Sequence, residues 1–327
     1  MKRLIFVFLF INFHTVAFNQ IITGTVLDKK TKEAIPLASV YFNGTKAGTT
    51  ADQDGVFKFD ISKNKSMPIT ISAIGYYSKK KSDYSISEPL EVYLSPKIYE
   101  LEETVVSDKS LKKKRKRYMR LFKDEFLGTT VNSHDCVILN EGDISFDYGS
   151  ADDTLRTYAL KPIIIANKAL GYKITYYLDK FEYYKKNKST FFRGNIIFKE
   201  MVKSPEMFLE KRVSTYRGSR MHFIRSLWKN DLGSNGFRVS KPGHDKVKYN
   251  PIKYAEVVLQ DGEKNKFIRS LKPLEIDYKA NLSCMVFLKE YVYFDKTGYF
   301  DPSGINWEGE MGKQRIADWL PYEFSLE

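Results

Sequence analysis

Ile21-Ile22-Thr23-Gly24-Thr25-Val26-Leu27-Asp28 is followed by Pro36-Leu37-Ala38-Ser39-Val40-Tyr41-Phe42, by Gly48-Thr49-Thr50, and by the turn Asp52-Gln53-Asp54-Gly55 leading into Val56-Phe57-Lys58-Phe59. Ile69-Thr70-Ile71-Ser72, Gly75-Tyr76 and Leu90-Glu91-Val92-Tyr93-Leu94 complete the stretch. These are short β-type runs separated by turn residues, the pattern of a small sandwich. Alternation puts Val40 and Phe42 on one face and Tyr41 and Asn43 on the other; Phe57 and Phe59 share a face opposite Lys58 and Asp60. Asn43-Gly44 and Asp54-Gly55 are turn dipeptides, because Asn, Asp and Gly tolerate positive φ.

Working outward, the chain of 327 residues is long enough for two domains, and 43% apolar with 28% charged residues marks it as folded. Aromatic content of 15% favours strands. Residues 1–19 read as a secretory signal: Lys2 and Arg3, then an apolar run from Leu4 to Phe13, then Ala17 and Asn19 near a cleavage point. The run is too short to span a membrane comfortably, so cleavage is expected over anchoring. The expected location is therefore the exported space, periplasm or outer-membrane surface, and no transmembrane span is expected after cleavage.

The formal charge of +13 falls to +11 without Lys2 and Arg3, and seven of those charges sit at Lys109, Lys112, Lys113, Lys114, Arg115, Lys116 and Arg117. The basicity is thus mostly one local cluster. Export argues against nucleic acid as its partner. A solvated helix start is favoured, with peripheral contact to anionic headgroups through residues 109–117 as the alternative.

The quoted stretch resembles the carboxypeptidase-regulatory-like domain, a transthyretin-like β-sandwich of bacterial envelope proteins that also precedes the plug of many TonB-dependent receptors. The resemblance implies a fold and a compartment, and no peptidase activity, since that domain is an accessory to catalytic domains. The remainder is similar to a group of bacterial proteins that join this module to an uncharacterised C-terminal domain; Phe126-Leu127-Gly128-Thr129-Thr130, Leu170-Gly171-Tyr172 and Tyr216-Arg217-Gly218-Ser219 carry that likeness.

The expected organisation is a sandwich over 20–98, a charged linker over 99–117 and a β-rich α+β domain over 118–327. Tyr118, Leu121, Phe122 and Phe126 fall on one helical face, with Gly128 as the stop. Strands are expected at 163–165, 172–178, 194–198 and 256–259, and along the run Cys284–Phe294. Helices are expected after Ser204-Pro205 and after Ser219, and from about Gly312 to Trp319.

Chemistry is sparse. The histidines are His14, His134, His222 and His244, none with HExxH spacing, so no zinc peptidase is expected. No GxSxG occurs, and Cys136 near His134 is weak as a nucleophile–base pair. Asp52-Gln53-Asp54-Gly55 lacks the downstream Glu of a calcium loop and reads as a turn. No metal and no cofactor are expected. Tyr216, Arg217, His222 and Arg225 form the best candidate ligand-binding cluster, for a carboxylate or phosphate, set against a structural ion-pair network. Cys136 and Cys284 either pair or remain buried thiols. Asp179 and Glu182 are a further acid pair. The expected function is a non-catalytic envelope binding or assembly role with protein partners; an envelope hydrolase or transferase is the alternative. An outer-membrane barrel is disfavoured by charges throughout the candidate strands.

Overall fold

The computed structural model describes residues 20–64, 67–97, 108–147, 153–203, 205–241, 251–262 and 265–326. The signal-like segment, Ser204 as a helix cap, and His244 lie outside these residues. The fold is mostly β, 40% strand and 21% helix.

The N-terminal unit is a sandwich of two sheets. Strands β1 (Ile21–Asp28), β2 (Ser39–Phe42), β3 (Gly48–Thr50), β4 (Val56–Asp60), β5 (Ile69–Ser72), β6 (Lys79–Lys81) and β7 (Leu90–Leu94) divide into β4-β1-β7 and β3-β2-β5-β6. Inward alternation holds in β1 and β4, where Ile22, Val26, Phe57 and Phe59 are buried and Lys58 is exposed. The Asp52 turn forms as expected, its carboxylate accepting from the backbone N–H groups of Asp54 and Val56 at 3.0 and 2.8 Å.

Alternation fails in β2 and β5. Tyr41, Thr70 and Ser72 are as buried as Val40 and Ile71, so the expectation of an outward Tyr41 is corrected. A second sheet covers that face.

That sheet belongs to the C-terminal unit. Helix α1 (Asp108–Phe126) and the single turn α2 (Val131–His134) lead into β8 (Cys136–Ile138), β9 (Ile144–Phe146), β10 (Thr154–Ala159), β11 (Ile163–Asn167), β12 (Tyr172–Tyr184) and β13 (Ser189–Glu200). They form one antiparallel sheet in the order β8-β11-β12-β10-β9, with β13 also on β12. Tyr118, Phe122 and Phe126 of α1 bury into its core, where Phe122 meets Phe181 and Phe126 meets Tyr176 edge-on. The basic run lies inside α1, so residues 108–117 are helix where a linker was expected. Gly128, at φ 97°, follows the helix end.

Helices α3 (Leu209–Tyr216) and α4 (Arg220–Trp228) then cross to a second group of strands: β14 (Phe237–Ser240), the turn α5 (Tyr254–Val257), β15 (Val258–Asp261), β16 (Asn265–Ile268), β17 (Leu274–Tyr278), β18 (Asn281–Phe287), β19 (Val292–Phe294), β20 (Ile305–Glu308) and α6 (Gly309–Lys313). They form sheets β14-β17-β18-β20 and β15-β16-β19 around a third core. The run Cys284–Phe294 is therefore two strands in different sheets. The helix expected over 312–319 is α6 followed by a 3₁₀ turn at Ile316–Asp318.

The two units are joined by main-chain bonds. The Asn43-Gly44 turn inserts against β13: Ile196 N–H donates to Asn43 Oδ1 at 2.7 Å, Gly44 N–H to the Ile196 carbonyl at 2.9 Å, and Phe198 N–H to the Thr45 carbonyl at 2.9 Å. The C-terminal tail closes over the same turn, Tyr322 N–H donating to the Gly44 carbonyl at 2.9 Å. Tyr41 stacks on Tyr177 with ring centroids 5.9 Å apart, and buried Lys97 donates to the Leu178 carbonyl at 2.7 Å. Among the described residues no helix is long and apolar enough to cross a membrane.

Candidate functional site

The cluster singled out in the sequence lies where α3 turns into α4. Gly218 takes φ 76° between the helices, and Ser219 caps α4, its Oγ accepting from His222 N–H at 3.1 Å. Ser219→Ala is expected to cost about 1 kcal/mol, the usual worth of an N-cap, measured as a lowered urea midpoint with an unchanged slope.

Tyr216, His222 and Arg225 do come together, the Tyr216 ring packing on the other two while the polar groups of His222 and Arg225 are taken up by the fold. His222 is buried with its ring 4.9 Å from Tyr216 and 4.8 Å from Phe237. Its Nδ1 accepts from Gly218 N–H at 3.1 Å, so Nε2 carries the proton and donates to Asn235 Oδ1 at 3.3 Å. Burial pushes the imidazole pKa down, helped by the charges of Arg217, Arg225 and Lys279, so the ring is neutral at physiological pH. Arg225 donates to the carbonyls of Thr297, Phe324 and Tyr322 at 2.9, 2.7 and 3.0 Å. Arg217 stays exposed at the end of α3. The geometry is that of a tail clamp beside an aromatic cage.

Other arginines repeat this use. Arg115 donates to the Ile144 and Glu141 carbonyls, and Arg212 to the Leu170 carbonyl and the Glu200 carboxylate, while lying 4.0 Å above the Tyr172 ring. Arg220 donates to the carbonyls of Met311 and Gln314. Part of the sequence's basicity is therefore internal.

Cys136 and Cys284 are free, half-buried thiols on strands of different sheets. Burial pushes the Cys136 thiol up to about 12, and its Sγ donates to the Asn132 carbonyl at 3.4 Å. A thiol so disposed is a poor nucleophile. Among the described residues no group of His, Cys, Asp and Glu is arranged to hold a metal.

Two further polar centres stand out, of which only the second had no sequence signal. The first is Asp179, at the register shift of β12 against β13, where a bulge re-aims the side chain toward the sandwich. Asn195 Nδ2 donates to Asp179 Oδ2 at 3.2 Å, and Oδ1 is buried without a well-formed hydrogen bond. Burial pushes this carboxyl up, opposed by the charges of Lys97, Arg193 and Lys80 and by the Ser78 backbone N–H. Glu182, its expected partner, is instead held by Lys180 at 3.0 Å and Arg156 at 3.6 Å.

The native state keeps the Asp179 proton to higher pH than the unfolded chain does. Between the ordinary value of 3.8 and the raised one it binds more protons, and stability falls as pH rises through that window. Asp179→Asn cannot ionise, so its denaturation midpoint should fall less than the wild type's from the acid range to neutrality. Parallel profiles would remove Asp179 from the acid-range dependence.

The second centre is Asp318. Its Oδ1 accepts from Thr130 Oγ1 at 2.8 Å and Asn132 Nδ2 at 3.0 Å, while Oδ2 is buried without a partner. Burial pushes its pKa up against those bonds, the Arg315 main-chain N–H contribution and the Arg220 charge. Thr130 and Asn132 also line a cleft of about 310 Å³ with Val131, Lys211, Ser214 and Thr215.

Residues 22–106 match the CarboxypepD_reg-like domain, a span that covers the sandwich strands from the second residue of β1 onward. No curated protein matches the chain.

Proposed function

We propose that the protein is a non-catalytic binding or assembly component of the cell envelope, presenting a regulatory-like sandwich and a C-terminal unit as a single body. The observation that carries the reading is the solvent face of α1. Lys112, Lys113, Lys116, Arg117 and Arg120 are all exposed there, and at 100° per residue they span an arc of about 140°. Asp124 lies at the far end of the same face. The opposite face is pinned by Tyr118, Phe122 and Phe126, which fixes the orientation of the cations. Such a stripe suits peripheral contact with anionic headgroups, at about 1 kcal/mol per cation near the surface.

The test is co-sedimentation of the full chain with phosphatidylcholine vesicles, with and without phosphatidylglycerol, at low and high salt. Binding that needs the anionic lipid, falls with salt and is lost in Lys113→Glu/Lys116→Glu supports the reading. Equal recovery of wild type and variant removes the membrane contact. Crosslinking in the envelope fraction, with the same variant as control, reports protein partners.

The alternative, an envelope hydrolase or transferase, rests on the Asp318 centre, where a carboxyl with a raised pKa lies behind a cleft lined by hydroxyls and an amide. A hydrolytic activity that is lost in Asp318→Asn while the fold is retained would favour it over the binding role.

A further inference from the structure

At one end of the sandwich, where the chain entering β6 bonds to the chain leaving β7 (Tyr77 N–H to the Ser95 carbonyl, 2.9 Å), a cleft of about 360 Å³ is lined by Lys29, Lys32, Tyr77, Ser78, Lys79, Tyr93 and Ser95. That volume lies at the small end of ligand pockets. We propose that this cleft binds a phosphate monoester, the phosphoryl group among the three lysines and its carrier against the tyrosine rings.

The three cations reach one cleft from different parts of the sandwich. Lys29 and Lys32 come from the chain leaving β1, Lys79 opens β6, and Tyr93 lies between them on β7. Lys32 Nζ is 4.3 Å from the Tyr93 ring centroid, and Lys79 Nζ is 3.4 Å from the Tyr93 carbonyl. The neighbouring carboxylates are otherwise engaged. Asp28 accepts from the N–H groups of Lys30 and Thr31 and from the Tyr76 hydroxyl, and Glu91 accepts from the Tyr93 hydroxyl. No ion pair among the described residues involves Lys29, Lys32 or Lys79.

Protection of an edge strand accounts for Lys80 and Lys81 on β6. It does not account for Lys29 and Lys32, which follow β1 of the other sheet and line the same cleft as Lys79. Compact ammonium groups suit a phosphoryl dianion as point charges, where a planar carboxylate is better matched by the arginine fork. Tyr77, 40% exposed, offers the carrier a ring face, and buried Lys97 lies 5.7 Å from the same ring.

The phosphoryl group has two possible sources, a soluble sugar phosphate or a lipid, and the test separates them. The full chain is titrated with glucose 1-phosphate by calorimetry at low salt, and separately sedimented with phosphatidylcholine vesicles containing phosphatidic acid. Lys32→Ala/Lys79→Ala is compared with Lys58→Ala/Lys63→Ala, which removes the same charge outside the cleft, and with the α1 variant. Loss of at least about tenfold in affinity in the cleft variant alone, in either arm, supports the site and names its source. Equal loss in the control pair, binding of glucuronate as tight as that of glucose 1-phosphate, or no binding in either arm overturns it.

Discussion

Arg225→Met is expected to destabilise the chain by about 2–4 kcal/mol, because the half-buried guanidinium leaves behind carbonyl acceptors that cost about 1–3 kcal/mol each where they stay unsatisfied. The guanidinium satisfies three carbonyls, from Thr297, Tyr322 and Phe324, which belong to a loop and to the tail. Methionine roughly fills the volume, so the loss comes from stranded acceptors and not from a cavity. Asp295 adds to it: the residue is 4% exposed, burial raises its pKa, and the Arg225 charge is among the groups that oppose the rise. Arg225→Lys keeps the charge but cannot serve three divergent carbonyls from one ammonium, and should recover less than half of the difference. Urea denaturation gives the magnitude, and amide exchange across 319–326 shows whether the tail detaches first. A stability within about 0.5 kcal/mol of wild type would mean that the clamp carries no energy. The same measurement separates the clamp from a ligand site, because a ligand-binding arginine would change binding and leave the tail in place.

The sandwich was legible because its signals are local. Turn dipeptides, alternation in β1 and β4, and Pro36 ahead of β2 need no knowledge of distant residues. What covers its second sheet was not legible. Tyr41, Thr70 and Ser72 carry hydroxyls and sit at positions that alternate with apolar ones, and Tyr41 was accordingly placed on the face opposite Val40 and Phe42. They are buried because β12 lies across them, and Tyr41 and Ser72 satisfy each other at 2.9 Å. His222 was grouped with the ligand-binding candidates, and its ring packs among Tyr216, Phe237 and Tyr278. Arg225, three residues on, looked like a ligand group because its acceptors are backbone carbonyls, which have no sequence signature. The same holds for Arg212 and Arg220. Asp179 was paired with Glu182 in the sequence and is parted from it in the fold for a different reason: what re-aims it is a bulge, and a bulge is a property of two strands in register. The run Cys284–Phe294 split because β18 pairs with β20 while β19 pairs with β16, a choice made by partners at a distance.

Gly44→Ala tests whether the two units are one body. Gly44 takes φ 81°, and a Cβ there would lie 2.4 Å from Tyr322 Cε2. The backbone cost is about 1–2 kcal/mol, and overpacking against the ring adds about 1–3 kcal/mol. The expected loss is thus about 2–5 kcal/mol, and it falls on the junction. Gly44 N–H bonds to Ile196 and its carbonyl to Tyr322, so a shift of the turn loosens β13 and the tail together. Gly55→Ala is the control: its φ is 71° and its Cβ would meet the Val26 carbonyl at 2.7 Å, a strain confined to the sandwich. Gly44→Ala should therefore speed amide exchange at Ile196, Phe198 and Tyr322, and Gly55→Ala should speed it at Val26 and Ile35. Tyr322→Ala separates the two parts of the Gly44 effect, because removing the ring relieves the clash and leaves the φ cost. In a double-mutant cycle the pair should be less destabilising than the sum of its members by about 1–3 kcal/mol. Strict additivity would locate the whole cost in the backbone of the turn, and a silent Gly44→Ala would show that the units hold together without it.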